Sequence, residues 1–118
     1  MTKLNSNDKI CIRTIVLNIR EYKANDTIAI KRINTGSNIY TVRCNYSFTG
    51  GIKYSVLKDN KSGKFIGEAH ILRISEHGLD YSNQELDAKL PDSVLTYIKV
   101  FNNYINKFMQ YGEQAFNM

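Results

Sequence analysis

A chain of 118 residues, 42% hydrophobic and 23% charged, carries enough apolar material for one packed domain, which excludes a disordered polymer and a disulfide-held miniprotein. No apolar run approaches the roughly 20 residues that a membrane-spanning helix needs, and Met1–Asn7 lacks an apolar signal core, so the expected setting is the cytoplasm. The net charge of +5 is unevenly placed: residues 1–75 hold 13 Lys and Arg against 5 Asp and Glu, and residues 76–118 hold 3 against 6. A basic portion of this kind suits phosphate backbones or an acidic protein surface.

Residues 8–22 have two readings. As a helix, Cys11, Ile12, Ile15, Val16, Ile19 and Tyr22 share one side, Ile10 and Leu17 fall off it, and Ser6, Asn7 or Asp8 supplies the cap. As a strand, the segment is rich in β-branched residues, but its alternation breaks at Ile15-Val16-Leu17. The helix is the preferred expectation.

From Thr27 the period becomes two. Thr27–Ile33 reads as a strand with Ile28 and Ile30 inward, and Asn34-Thr35-Gly36-Ser37 has turn chemistry. In 39–48, Tyr40, Val42, Cys44, Tyr46 and Phe48 alternate with Ile39, Thr41, Arg43, Asn45 and Ser47. Gly50-Gly51 suits a tight turn before a strand over 52–58 with Ile52, Tyr54 and Val56 on one face. Asp59–Gly63 makes a second hairpin loop, and 64–75 is a last strand with room for a bulge near Gly67. Glu76-His77-Gly78 then closes the sheet, and 80–89 is a polar connection with one helical turn at most.

The last element starts at Pro91, where a missing N–H costs nothing, and stops at Gly112. It has two apolar stripes. Val94, Ile98, Ile105 and Met109 form an aliphatic one, and Tyr97, Phe101, Tyr104, Phe108 and Tyr111 an aromatic one beside it. Together they span an arc of roughly 180°, wider than the ~100° that capping a sheet demands. The aliphatic stripe belongs to the core, and the excess must meet a second surface. The aromatic set is the candidate interface, for a partner protein or for a second copy in a homodimer, with Phe101 and Phe108 reaching into the core and Tyr97, Tyr104 and Tyr111 either rimming it, rings buried and hydroxyls wet, or meeting the partner. Residues Lys99, Asn102, Asn103, Asn106, Lys107 and Gln110 form the solvated side.

The expected fold is α+β: a four-stranded antiparallel meander with the N- and C-terminal helices on one face, or five strands and one helix if 8–22 is extended. Residues 1–7 and 113–118 are expected to fray.

Chemistry-bearing motifs are sparse. Ser62-Gly63-Lys64 lacks the first glycine, the following hydroxyl residue and the helix of a phosphate loop. Cys11 and Cys44 have apolar neighbours and no CxxC spacing, so they read as small buried hydrophobes. Glu68 and His70 share a strand face, while His77 sits in a turn; neither histidine has partners at metal or catalytic spacing. No metal, cofactor or catalytic residue is expected.

What remains is the polar sheet face. Alternation puts Arg43 and Lys53 there, and Lys31 joins them, with Lys61 and Lys64 on the neighbouring hairpin. These five residues are the candidate nucleic-acid contacts, reading phosphate and not base, since Tyr40, Tyr46 and Phe48 fall on the opposite side. The expected function is a non-catalytic binding protein for nucleic acid or a nucleic-acid-handling complex. The alternative is an inhibitor, immunity or adaptor module using the tyrosine edge.

Overall fold

The computed structural model describes residues 4–47, 51–82 and 89–117. The described residues form helix α1 (Ser6–Leu17), strands β1 (Thr27–Asn34), β2 (Asn38–Tyr46), β3 (Ile52–Asn60), β4 (Phe65–Ser75) and β5 (Gly78–Ser82), and helix α2 (Asp92–Tyr111). Short 3-10 segments follow the two helices, Ile19–Glu21 and Gly112–Asn117. The strands pair in chain order as an antiparallel meander. The α+β expectation holds, with both helices present and one strand more than the four-strand version. Residues 76–77 do not close the sheet but turn the chain into β5, with Ser75 opposite Gly78. Phe48, Gly50 and positions 83–88 of the polar connection lie outside the described residues.

One face of the sheet meets both helices. Tyr40, Val42, Cys44, Tyr54, Val56, Ala69 and Ile71 pack with Ile12 and Ile15 of α1 and Val94, Tyr97, Ile98, Phe101 and Ile105 of α2 in a single buried cluster. Each of the valine, isoleucine and phenylalanine side chains among them contributes about 1.5–3 kcal/mol through loss of contact with water. As the helical pattern of 8–22 implies, Ile10 and Leu17 lie on the exposed side of α1. Its cap is Asn5, not Ser6, Asn7 or Asp8. The Asn5 Oδ1 accepts from the Asp8 N–H at 2.8 Å, and Asp8 Oδ2 accepts from the Asn5 N–H at 3.0 Å, a reciprocal capping box.

The wide apolar arc of α2 is absorbed within the chain. Its second surface is α1 together with the Gly112–Asn117 segment, where the expected fraying gives way to an ordered turn that buries Ala115. Phe116 stacks on Tyr104 and meets Phe108, and the Arg13 guanidinium lies 4.8 Å above its ring. Arg13 also forms a bidentate pair with Glu113 at 2.7–3.0 Å. Met109, expected in the core, is instead 47% exposed.

Strand β1 departs from simple alternation. A bulge between Thr27 and Ala29 lets Ile28 and Ala29 both pack toward the core, so the sides of all later residues reverse. Ala29 stands opposite Cys44, Lys31 opposite Val42 and Ile33 opposite Tyr40, all on the helix side. Ile30 and Arg32 are on the other face, and Ile30 is 61% exposed.

Candidate functional site: a basic stripe on the uncovered sheet face

The face turned away from the helices can be written as rows across the strands. One row is Ile30, Arg43, Ser55, His70 and Ser82; the next is Arg32, Thr41, Leu57 and Glu68; a third includes Asn45 and Lys53. Arg32, Arg43 and Lys53 therefore fall on one straight diagonal, each two residues further along the sheet than the last. Diagonal neighbours on a regular sheet are roughly 7–8 Å apart. All three side chains are exposed, and none forms an ion pair among the described residues. By contrast Arg13 and Arg73 are each held by a carboxylate, Arg73 by Asp80 at 2.6 Å.

The stripe has apolar company. Ile30 and Leu72 are 61% and 62% exposed, Phe65 at the far end of β4 is 45% exposed, and Ile39 and Leu57 are half-buried. This is a mixed surface of cations, small hydroxyls and isolated aliphatic side chains.

The five expected phosphate contacts are thus separated. Arg43 and Lys53 are on the stripe. Lys31 is not: the β1 bulge directs it toward the helices, where its Nζ lies 3.6 Å from Asp8 Oδ1 and 5.4 Å from the Tyr97 ring centroid. Arg32, which the alternation assigned to the other side, takes its place. Lys61 and Lys64 sit on the β3–β4 hairpin at the opposite end of the sheet from Lys53, roughly 17 Å along the strand from Arg43 at about 3.4 Å per residue. There the Asn60 side chain accepts from the N–H groups of Ser62 and Lys64 and from the Ser62 hydroxyl, and Gly63 adopts φ +88° to complete the turn.

The expected aromatic interface is mostly interior. Tyr97, Phe101 and Phe108 are buried, Tyr104 is half-buried against Phe116, and Tyr111 is 44% exposed. Burial, and then the Asp8 acceptor, push the Tyr97 phenol well above its usual ionisation range. Burial also raises Tyr54 and drives the Cys44 thiol up to about 12, against a smaller opposing effect of its hydrogen bond with Tyr54. Both cysteines are free, as their apolar context implies; Cys11 is half-buried. On the polar side of α2, Lys99, Asn103, Asn106 and Gln110 are exposed, and Asn102 and Lys107 are half-buried. Lys99, Asn102, Asn103 and Asn106 line an open groove of about 590 Å³ with Ile74, Ser75 and Glu76.

Glu68 and His70 do share a face, at 3.0 Å. Ser55 stands opposite His70, yet no hydrogen bond joins their side chains among the described residues, and the surrounding strand amides serve the ladders. No cluster of three His, Cys, Asp or Glu side chains placed to hold a metal ion occurs among the described residues, and no described helix is long and apolar enough to cross a membrane. Comparison with family models, curated proteins and solved structures yields no match.

Proposed function

We propose that the chain is a non-catalytic binding protein that engages nucleic acid by laying the phosphate backbone along Arg32, Arg43 and Lys53. The observation that supports this reading is the diagonal of three exposed, unpaired cations on a sheet face that no described helix covers. Cations already neutralised by carboxylates cannot release counterions on binding, whereas these three can. Small hydroxyl and amide neighbours, Thr41, Asn45 and Ser55, add donors without reading sequence.

Anisotropy titrations of labelled single- and double-stranded oligonucleotides at several salt concentrations test the reading. Three phosphate contacts predict that log K falls against log salt with a slope of about −2 to −3. No binding at low ionic strength, or binding indifferent to salt, overturns it.

A second reading is favoured by the exposed Ile30 and Leu72 beside the stripe: an acidic protein partner bound through the same face, in an inhibitor, immunity or adaptor role. The tyrosine edge supports that role less well, because only Tyr104, Tyr111 and Met109 on that side of α2 are accessible to a partner or a second copy.

A further inference from the structure

The sheet is split. The β3–β4 ladder ends at Ser55 opposite His70. Continuing it would set Tyr54 against Ile71, Lys53 against Leu72 and Ile52 against Arg73. Of that continuation one bond is present, from the Ile71 N–H to the Tyr54 C=O, as the Ser55–His70 pair requires, and β4 carries a one-residue bulge against β5 between Ile71 and Arg73. Where the ladder stops, residues of both strands and of α2 line an open notch of about 160 Å³. Lys53, Leu72 and Arg73 stand at its mouth on the open face, and Asn102 of α2 closes its floor.

The notch is supplied with hydrogen-bonding groups that the fold leaves over. Ile52, whose N–H and C=O turn toward β4 by the alternation of the ladder, stands beyond the last β3–β4 pair. Asn102 Oδ1 accepts from the Tyr54 hydroxyl at 3.0 Å, and the Asn102 amide hydrogens have no partner among the described residues. Ile71 and Ile74 supply apolar walls. A cavity of about 150 Å³ is the size that holds one benzene ring. A flat single ring edged with donors and acceptors and joined to an anionic backbone matches this slot, and the cationic stripe ends at its mouth, on Lys53.

We infer that the notch receives one unpaired pyrimidine base of a single-stranded nucleic acid whose backbone follows Arg32, Arg43 and Lys53. The inference rests on the nucleic-acid reading and sharpens it: a base stacked and paired inside a duplex cannot enter.

The test compares a thymidine oligonucleotide, an abasic strand of equal length and a duplex at one low salt concentration, with the full chain and with Leu72→Trp. Leu72 lines the mouth of the notch and is exposed, so tryptophan narrows the mouth without displacing a core side chain. Thymidine strands are expected to bind at least about tenfold tighter than abasic ones, with Leu72→Trp removing the difference and keeping the salt-dependent remainder. Equal affinity for thymidine and abasic strands, or an undiminished preference in Leu72→Trp, overturns this inference alone and leaves the phosphate stripe standing. No binding of any strand overturns both.

Discussion

The Tyr97 hydroxyl donates a 2.8 Å hydrogen bond to Oδ1 of Asp8, 89 residues earlier in the chain. The other Asp8 oxygen is engaged by the Asn5 N–H, and the Lys31 ammonium lies 3.6 Å from the first. One buried carboxylate thus caps α1, fastens it to α2 and provides the counter-charge for a cation on β1. Removing the hydroxyl leaves a buried acceptor short of a donor. Tyr97→Phe is expected to cost about 1–3 kcal/mol, read from urea denaturation. An unchanged midpoint would show that the bond is not formed in solution.

Lys31 and Arg32 are neighbours with opposite assignments. Arg32→Ala, Arg43→Ala and Lys53→Ala should each leave stability within about 0.5 kcal/mol and reduce the salt slope of nucleic-acid binding by about 1. Lys31→Ala should do the reverse, weakening the fold with no effect on the slope. A slope that responds to Lys31 and ignores Arg32 would mean that the β1 register is wrong.

Buried groups that ionise by losing a proton make the fold sensitive to alkali. Cys44 keeps its proton to about pH 12 in the folded chain, against about 9 when unfolded. Its folded value is raised, so the stabilisation is fully present below pH 9 and is lost as pH climbs from 9 to 12. Over that window each such group lowers stability by about 1.4 kcal/mol per pH unit. Tyr54 and Tyr97, shifted the same way, extend the loss upward from their usual range. Urea midpoints should be flat from pH 7 to 9 and then fall, less steeply in Cys44→Ala. In the folded protein near pH 8 a thiol reagent should label Cys11 first and reach Cys44 only on unfolding.

The Gly112–Asn117 segment completes the core that α2 begins. Phe116→Ala should cost about 2 kcal/mol, below the ~3–5 of a fully enclosed phenylalanine because the ring is half-buried. Gly112, at φ +65° and ψ −141°, turns the chain out of α2, and Gly112→Ala should cost about 1 kcal/mol or more in backbone strain. Glu113→Gln should barely move the curve, because its pair with Arg13 lies in solvent. Thermal melts of the three variants check this order.

Regular elements were legible wherever one face was buried along a whole segment. The strict alternation in β2 and the breadth of the α2 stripe translate directly into buried side chains. The β1 faces were not legible, because a bulge has no compositional mark and Ile28, Ile30 and Ile33 alternate only in part. For Tyr97 a ring buried at the core edge was one of two open readings, but its buried hydroxyl was not legible. The partner that satisfies its hydroxyl is contributed from the other end of the chain, and a tyrosine spacing of seven describes a packed edge as well as an exposed one. Asn5 was overlooked as the cap because three cap-forming residues follow it. The notch left no sequence signal, since it arises from where two ladders stop. Of the basic stripe, Arg43 and Lys53 could be read directly, whereas Arg32 required the register.

The bulge at Thr27–Ala29 also bears on how this surface can change over generations. Loss of the one codon for Ile28 would remove the bulge and leave Ala29 opposite Cys44, whereas loss of one residue between Ala29 and Lys31 would exchange the two sides of β1 downstream. Arg32 would then face the helices and Lys31 the solvent, so the outer charge would survive in number while Asp8 and Tyr97 met a bulkier guanidinium. Lineages of this chain are therefore expected to vary the stripe by substitution and to resist length changes between Ala29 and Asn34, which an alignment of relatives would show as an ungapped block.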